Sequence, residues 1–368
     1  MIKKLLFLTP LLLVLIFTTP PSASAKTRIT ISGAYALLPM MQVWADEYQK
    51  LYPDIQIDVS GGGAGKGATD CLGGMVDIGM ISREAQPDEL EKGGIFFPVA
   101  KDAVVPTINA KNPVLEEIKK KGINHDMFIR LFIENDVKTW GEVVGTDAKQ
   151  PVKVYTRSDS CGAAESWAKY LGGKKQENLK GVGVSQDPGL LKAVMDDPNG
   201  IGYNNYSYVF DMKTGQMNPG VWIAYIDING NGAIDNDETY DTREKLQAAI
   251  KSGFYPHPPA RPLYLMTKGN PQGPTKNFIL WVLTDGQNFI DSAGYMKVPE
   301  DLIKKHVDIL SSEATPPAEP AAKPAAKSTS QSAPIILWLV IIIAIVVFLF
   351  LIKVIRNSST KPKANPKS

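Results

Sequence analysis

The strongest indication of fold class comes from residues 27–67, which read TRITISGAYALLPMMQVWADEYQKLYPDIQIDVSGGGAGKG. This segment predicts a strand at Thr27–Ile31, a helix at Pro39–Leu51 and a second strand at Ile55–Val59, with a glycine-rich turn after each strand. The same order of strand, turn and helix returns at Val152–Leu171. Such alternation is typical of parallel sheets with helices on both faces, so we expect an α/β fold. Ligands of these folds bind beyond the carboxyl ends of the strands.

The N-terminus carries an export signal. Lys3 and Lys4 precede an apolar run at Leu5–Phe17, and the small residues Ala23-Ser24-Ala25 form a cleavage pattern. We therefore expect residues 1–25 to be a secretory signal peptide. An uncleaved N-terminal anchor is the alternative, although the apolar run is short for a membrane span.

The C-terminus predicts a membrane anchor. Residues 335–352 are an uncharged apolar run of 18 residues, which is long enough for one transmembrane helix. Residues 353–368 contain basic but no acidic residues, which favours a cytoplasmic tail and an extracytoplasmic body. Residues 311–334 are rich in Pro, Ala and Ser and predict an extended tether. The chain is thus expected to be an exported, single-pass membrane protein.

The remaining residues have the composition of a globular body. The net charge of the whole chain is only +2, which argues against a nucleic-acid partner. Cys71 and Cys161 are the two cysteines of the sequence, so the body is not a disulfide scaffold, and they are either free or paired with each other. The three histidines lack the spacing of a zinc site, and no Ser–His–Asp set stands out. We expect a binding protein and not an enzyme.

Three glycine-containing turns are candidates for an anion site. They lie at Ser32–Ala36, Ser60–Gly67 and Arg157–Ala163, each between a predicted strand and the following helix. Free backbone N–H groups at a helix start favour negative charge, and glycine lets the backbone approach a ligand closely. Arg157 adds a guanidinium group that matches the geometry of an oxyanion. For any single turn, a tight connection without a ligand is the alternative.

A larger set of motifs follows the chain from about Ile29 to Leu310. In order they are Gly33, Pro39, Trp44 and Tyr48, Gly61–Gly67, Asp77-Ile78-Gly79, Arg157-Ser158-Asp159, Gly200-Ile201-Gly202-Tyr203, Tyr255-Pro256 and Arg261-Pro262-Leu263-Tyr264. In this order the chain resembles the phosphate-binding proteins of phosphate ABC transporters, here with an added C-terminal anchor.

The resemblance implies a two-lobed periplasmic-binding-protein fold of the type II-like class. Lobe one is expected at residues 26–106 and again at 261–310, with lobe two at residues 107–260. Two hinge strands are expected near Val104–Ile108 and Pro262–Met266. The ligand would lie between the lobes, which close around it.

The resemblance also implies a ligand site. Carried over position by position, the family's phosphate contacts fall on Tyr35, Ala36, Ala64, Ser82, Arg157, Cys161, Gly162 and Ala163. Asp159 is retained beside Arg157, where it holds the guanidinium group in place or accepts a hydrogen bond from a protonated oxyanion. Family members place hydroxyl residues where this chain has Tyr35, Ala64, Cys161 and Ala163, and often Asp or Ser at the position of Ser82. Fewer hydroxyl donors predict weaker phosphate binding or a different ligand, whereas backbone donors persist.

Three functions are therefore open. The first is capture of phosphate or a similar oxyanion for an ABC permease, by a monomeric, membrane-anchored protein. The second is binding of another anion, such as molybdate, tungstate, sulfate or an organic acid. The third is an anion sensor or surface protein without a transport role.

A separate motif at residues 227–238 predicts calcium binding. It reads DINGNGAIDNDE and matches the twelve positions of a calcium loop. The expected oxygen ligands are Asp227, Asn229, Asn231, Ala233 through its carbonyl group, Asp235 and Glu238. The bound Ca²⁺ would have a structural role. A polar surface turn without a metal is the alternative.

Overall fold

A computed structural model describes residues 26–211 and 213–312. The signal peptide predicted at residues 1–25 lies outside these residues, as do the tether from residue 313 onward, the span predicted at residues 335–352 and the tail at residues 353–368. Within the described ranges, no helix combines the length and the apolar character that crossing a membrane requires.

Strands and helices alternate along the described chain, as the sequence predicts for an α/β fold. The strands are β1 (Thr27–Gly33), β2 (Ile55–Gly61), β3 (Ile78–Ile81), β4 (Gly94–Asn109), β5 (Ile123–Asn124), β6 (Lys153–Arg157), β7 (Val182–Val184), β8 (Gly200–Asn205), β9 (Val221–Ile223), β10 (Ile226–Asp227) and β11 (Ala260–Lys268).

The helices come between these strands and after the last one. They are α1 (Leu38–Leu51), α2 (Ala64–Leu72), α3 (Pro87–Glu91), α4 (Leu115–Lys121), α5 (His125–Ile129), α6 (Trp140–Val144), α7 (Gly162–Tyr170), α8 (Asp187–Asp196), α9 (Tyr206–Val209), α10 (Arg243–Ser252), α11 (Gly273–Leu283) and α12 (Glu300–Ser312).

Most of the strands belong to one sheet. Within the described residues its order is β2-β1-β3-β11-β4-β8-β6-β7, and β9 also pairs with β4. The pairs β1–β2, β1–β3, β6–β7 and β6–β8 are parallel, whereas β4 and β11 run antiparallel to their neighbours. The carboxyl ends of β1, β2 and β3 therefore meet at one edge, which brings the turns that follow them together.

The described residues form two separate hydrophobic cores, and the two halves of β4 belong to different cores. The first contains residues from Ile29 to Ala100 and from Leu263 to Leu310, and we call it lobe one. The second contains residues from Ala103 to Ala260 together with Met296, and we call it lobe two. β4 pairs with β11 up to Ala103 and with β8 from Val104 onward, so this strand passes from one lobe into the other.

Candidate anion site between the lobes

The first turn of the candidate site follows β1. Gly33 has a φ of 135°, and a Cβ at this position would lie less than 3.0 Å from the Met80 carbonyl oxygen on β3. Only glycine allows this close approach of two backbones. A short 3₁₀ turn at Tyr35–Leu37 comes next and leads into α1. The predicted residues Tyr35 and Ala36 thus lie at the carboxyl end of the sheet.

The second turn connects β2 with α2. Gly62 and Gly63 have φ values of 158° and 87°, a conformation that favours glycine at both positions. The turn ends at Ala64, which is the first residue of α2 and is buried. No side chain caps the start of this helix. Its first N–H groups therefore need an acceptor from elsewhere.

The third turn connects β6 with α7 in lobe two. The side chain of Arg157 is 0% exposed at the end of β6, and its guanidinium group pairs with two carboxylates. Its Nε donates to Asp159 Oδ1 at 2.8 Å and its Nη2 donates to Asp159 Oδ2, while Nη1 donates to Asp187 Oδ2 at 2.5 Å. Asp159 thus holds Arg157 in place, and two of the five guanidinium N–H groups remain for another acceptor.

The three turns meet across the two lobes. A Cβ at Gly162 of lobe two would lie less than 3.0 Å from the carbonyl oxygen of Ser82 in lobe one. A Cβ at Gly63 would overlap the Ser160 carbonyl oxygen in the same way. The guanidinium carbon of Arg157 lies 5.9 Å from the centre of the Tyr35 ring. The structure therefore brings the three turns together where the lobes meet, with Ser82 against Gly162 and Tyr35 beside Arg157.

Several backbone N–H groups at this cleft lack a protein acceptor. Within the described residues, none of the hydrogen bonds to protein atoms comes from the N–H groups of Tyr35, Ala36, Ala64, Gly65, Gly162 or Ala163. Both α2 and α7 contribute their first two N–H groups to this set. Ala36, Ala64, Gly162 and Ala163 are buried, and buried N–H groups are rarely without a partner, so these four indicate a ligand or ordered water.

A family model described as a PBP superfamily domain matches residues 18–286, which is most of the chain. The chain belongs to the PBP superfamily. It is 27% identical to the phosphate-binding protein PstS of Pseudomonas aeruginosa over 311 residues, which cover 78% of this chain and 88% of the relative. It is 24% identical to the phosphate-binding protein PstS of Methanocaldococcus jannaschii over 342 residues, with coverage of 77% and 86%.

Solved structures show the same fold. A crystal structure of a candidate phosphate ABC transporter substrate-binding protein from Clostridium perfringens, with bound phosphate, has a TM-score of 0.60 at 22% identity and covers 74% of this chain and 100% of that one. An ABC-type phosphate transport receptor from Vibrio cholerae has a TM-score of 0.54 at 20% identity, with coverage of 74% and 100%. These likenesses confirm the predicted α/β, two-lobed periplasmic-binding-protein fold.

The site of this PBP superfamily member contains two polar groups, the buried Asp187 and the half-buried Gln176, that the sequence did not single out. Asp187 is the first residue of α8, and its other carboxylate oxygen accepts from Asn205 Nδ2 at 2.5 Å. Gln176 accepts from the Cys161 N–H at 3.0 Å and donates to the Asp159 carbonyl at 2.7 Å. Neither residue lies in a recognisable motif. Each belongs to a chain segment outside the three turns and reaches the site through tertiary packing.

Burial and ion pairing oppose each other in the charged groups of the cleft. Burial raises the pKa of Asp187 above its usual range although Arg157 lies next to it. Burial also acts to raise the pKa of Asp159, but the hydrogen bond that Arg157 donates outweighs it, and the pKa of this carboxyl group lies below its usual value. Asp159 is therefore the more firmly ionised of the two partners of Arg157.

Both cysteines are buried and free in the structure. The Cys161 sulfur accepts from the Ala164 N–H at 3.4 Å and caps the start of α7, so this side chain has a structural role in the helix. Burial raises the pKa of Cys71 to about 11 and that of Cys161 to about 12. Both side chains are thus thiols and not thiolates at neutral pH.

The predicted calcium loop is folded around two buried carboxylates. The Asp227 oxygens accept from the N–H groups of Asn231 and Gly232 at 3.1 and 3.0 Å. The Glu238 oxygens accept from the N–H groups of Ile228 and Asp235 at 2.8 and 3.1 Å. In the described part of the chain, no group of three or more His, Cys, Asp or Glu side chains is gathered as a metal site.

The other predicted ligands of the loop lie at its surface. Asp235 Oδ2 accepts from Asn229 Nδ2 at 2.8 Å and from Asn231 Nδ2 at 3.3 Å, and Ala233 is exposed. The oxygen-only donor set still suits a hard cation such as Ca²⁺. Binding would require Asp235 to exchange these amide donors for the metal.

Proposed function

We propose that this protein is an extracytoplasmic solute-binding protein that captures phosphate or a similar small oxyanion for an ABC importer. The observation that carries the proposal is the set of backbone N–H groups without protein acceptors, which three turns from both lobes direct to one cleft beside Arg157. Helix starts and a guanidinium group together favour a compact anion. The proposed role is binding and delivery of the anion, without a chemical reaction.

Phosphate is favoured because the relatives reported above are named for it. Ala36, Ala64, Gly162 and Ala163 offer backbone N–H groups whatever their side chains, so the loss of hydroxyl residues does not abolish the site. The few side-chain donors support a second candidate, in which the ligand is molybdate, tungstate, sulfate or an organic acid. Each missing hydrogen bond to a charged ligand costs about 1.5–3 kcal/mol, which is enough to change the preferred anion.

The transport role rests on the same relatives and on the ends of the sequence. Residues 1–25 would export the chain, and residues 335–352 would hold a monomeric body outside the membrane, near a permease of the ABC type. A sensor or surface protein without a permease is the alternative. Co-purification of permease subunits with the tagged full chain, from membranes of its own source, separates the two roles.

A panel of anions tests the ligand. The full chain, purified in detergent and in phosphate-free buffer, would be titrated calorimetrically with phosphate, sulfate, molybdate, tungstate and an organic acid. We expect one phosphate to bind per chain and more tightly than the other anions. Saturable binding of another anion, with no heat from phosphate at millimolar concentration, would replace phosphate with that anion.

We also propose that residues 227–238 bind a structural Ca²⁺. Asp227 is 3% exposed and Glu238 is 0% exposed, yet neither forms an ion pair with a Lys, Arg or His side chain among the described residues. Buried carboxylates are costly unless a cation or several hydrogen bonds compensate them. Two backbone N–H groups already donate to each carboxylate, and a bound Ca²⁺ would add the missing positive charge, with an expected affinity in the range of about 10⁻⁴–10⁻³ M.

A further inference from the structure

Two tyrosine hydroxyl groups hold the first turn of the anion site. Tyr208 Oη donates to the Tyr35 carbonyl oxygen at 2.9 Å, and Tyr295 Oη donates to the Ala36 carbonyl oxygen at 2.8 Å. Burial raises the pKa of both tyrosines above the usual range, so both hydroxyl groups remain protonated donors at physiological pH. Neither tyrosine belongs to the residues that the sequence placed in the site.

The two hydrogen bonds act on different peptide units. The Tyr35 carbonyl and the Ala36 N–H belong to one planar trans peptide, so they point in opposite directions. The Leu38 N–H already donates to the Tyr35 carbonyl within this turn, and the Tyr208 hydroxyl adds a second donor that further restrains this peptide and the direction of its Ala36 N–H. Tyr295 instead fixes the peptide that carries the Leu37 N–H, which donates to the Ala34 carbonyl within the turn. Tyr208 is thus the tyrosine that orients a donor left free for a ligand.

The two tyrosines also belong to different lobes. Tyr295 is fully buried in the core of lobe one, the same core that contains Ala36. Tyr208 lies on α9 and packs against the core of lobe two. Its hydrogen bond to Tyr35 therefore joins the lobes, as does the bond that Tyr206 of the same helix donates to the Gly294 carbonyl at 2.6 Å, whereas the bond from Tyr295 to Ala36 lies within lobe one.

We propose that Tyr208 is a positioning residue that, on closure of the lobes, restrains the peptide that presents the Ala36 N–H to the bound oxyanion. This inference rests on the proposed function, since it assigns a role within the same site. The contact links ligand binding to closure, because this additional restraint on the donor comes from the opposite lobe. It also adds a lobe–lobe hydrogen bond that opening of the cleft must break.

Three Tyr→Phe variants of the full chain separate this role from simple stabilisation. Each removes one hydroxyl group, from Tyr208, from Tyr295 or from Tyr155. Tyr155 is the matched control, since its hydroxyl donates to Asp197 Oδ2 at 2.8 Å within lobe two. Association and dissociation rates of phosphate and the melting temperature of the ligand-free protein would be measured for all three.

We expect the three variants to change different properties of the protein. Tyr208→Phe should release phosphate about 3- to 10-fold faster, the equivalent of about 0.7–1.4 kcal/mol, with an unchanged ligand-free melting temperature. Tyr295→Phe should lower the ligand-free melting temperature, because it leaves a buried carbonyl without a donor. Tyr155→Phe should leave the release rate within about twofold. Equal release rates in the wild type and in Tyr208→Phe would overturn the proposal.

A second measurement decides the proposal even when phosphate is not the ligand. Spin labels at Met75→Cys in lobe one and Lys149→Cys in lobe two would report the interlobe distance, since both positions are exposed. The native cysteines are buried thiols of high pKa and react slowly. Tyr208→Phe should enlarge the open population, and Tyr295→Phe should not. Identical distributions for the wild type and Tyr208→Phe, with and without phosphate, would refute the role in closure.

Discussion

Arg157 and Arg261 lie buried beside the proposed anion site, and carboxylates compensate both. Arg261 Nη1 donates to the Gly162 carbonyl at 2.9 Å, and its Nη2 lies 3.5 Å from Asp102. Asp187 and Asp159 compensate Arg157. At the scale of the residue, each guanidinium group thus already has carboxyl partners, so the ligand depends on directed N–H groups more than on net charge.

Asp102 provides a prediction about pH. Its side chain is 0% exposed, and burial raises its pKa to about 7 although Arg261 lies nearby. Between about pH 4 and pH 7 the folded state therefore binds more protons at this carboxyl group than the unfolded state, so stability falls as the pH rises. From pH 5.5 to pH 8, the wild type should lose about 2 kcal/mol more unfolding free energy than Asp102→Asn.

Urea unfolding of both proteins at the two pH values measures this difference. All other titrating groups are present in both proteins, so the difference between the two pH dependences reports Asp102 alone. Parallel losses of stability in the two proteins would show that Asp102 is ionised in the folded state with an ordinary pKa.

Single residues also show which parts of the site could be predicted from the sequence. Arg157, Asp159 and Gly162 could be predicted because they lie in one short turn between a strand and a helix. Tyr208 contacts a residue 173 positions earlier, and Asp187 reaches Arg157 from the start of another helix. Such partners depend on tertiary packing between segments that carry no local pattern, and the sequence of the turns does not encode them.

At the scale of the element, the start of α7 is the most tightly fitted part of the cleft. Gly162 is the first residue of this helix and faces both Ser82 oxygens across the lobes. Its φ does not lie in the left-handed region, so alanine is compatible with the backbone itself. The glycine is therefore explained by the approach of the opposite lobe and not by the local conformation.

Gly162→Ala should weaken phosphate binding by at least about tenfold, the equivalent of about 1.4 kcal/mol, because the added methyl group obstructs closure. Calorimetric titration gives the affinity, and the ligand-free melting temperature should stay within error. Gly189→Ala in α8 is the matched control, since its nearest obstacle is a Val184 methyl group at 3.3 Å. Wild-type affinity in Gly162→Ala would show that the lobes do not close as in this structure.

The loop at residues 227–238 gives a prediction about metal. Ca²⁺ at ten times its dissociation constant should stabilise the full chain by about 1.4 kcal/mol, and EDTA should remove the gain. Glu238→Gln should abolish the response. Asp237→Asn should preserve it, because Asp237 is exposed and is not among the expected ligands. A melting temperature independent of Ca²⁺ up to 10 mM would contradict a structural metal.

Strands and helices themselves were predicted more easily than the contacts between them. The strand expected at Ile55–Val59 extends to Gly61, and the helix expected from Pro39 begins at Leu38. These agreements follow from apolar alternation and from proline at a helix start. The loop at residues 227–238 satisfies its sequence pattern, yet the fold places Asp235 against two amide groups, which a pattern of spacing alone does not reveal.

At the scale of the whole molecule, two lobes share one sheet, and β4 crosses between them. The pairing partner of β4 changes from β11 to β8 between Ala103 and Val104, close to Asp102 and Arg261. The two-lobed fold was foreseen through resemblance to a family. The closed fit of the turns was not, because it results from the relative position of two cores. The separate helix starts form one site only when the lobes are closed.

The most direct test is a crystal structure of the full chain, purified in detergent, with phosphate. We predict one phosphate between the lobes, with its oxygens within about 3 Å of the N–H groups of Ala36, Gly162 and Ala163 and of the Arg157 guanidinium group. A cleft in which these N–H groups bind only protein carbonyls or water, with no phosphate near Arg157, would contradict it.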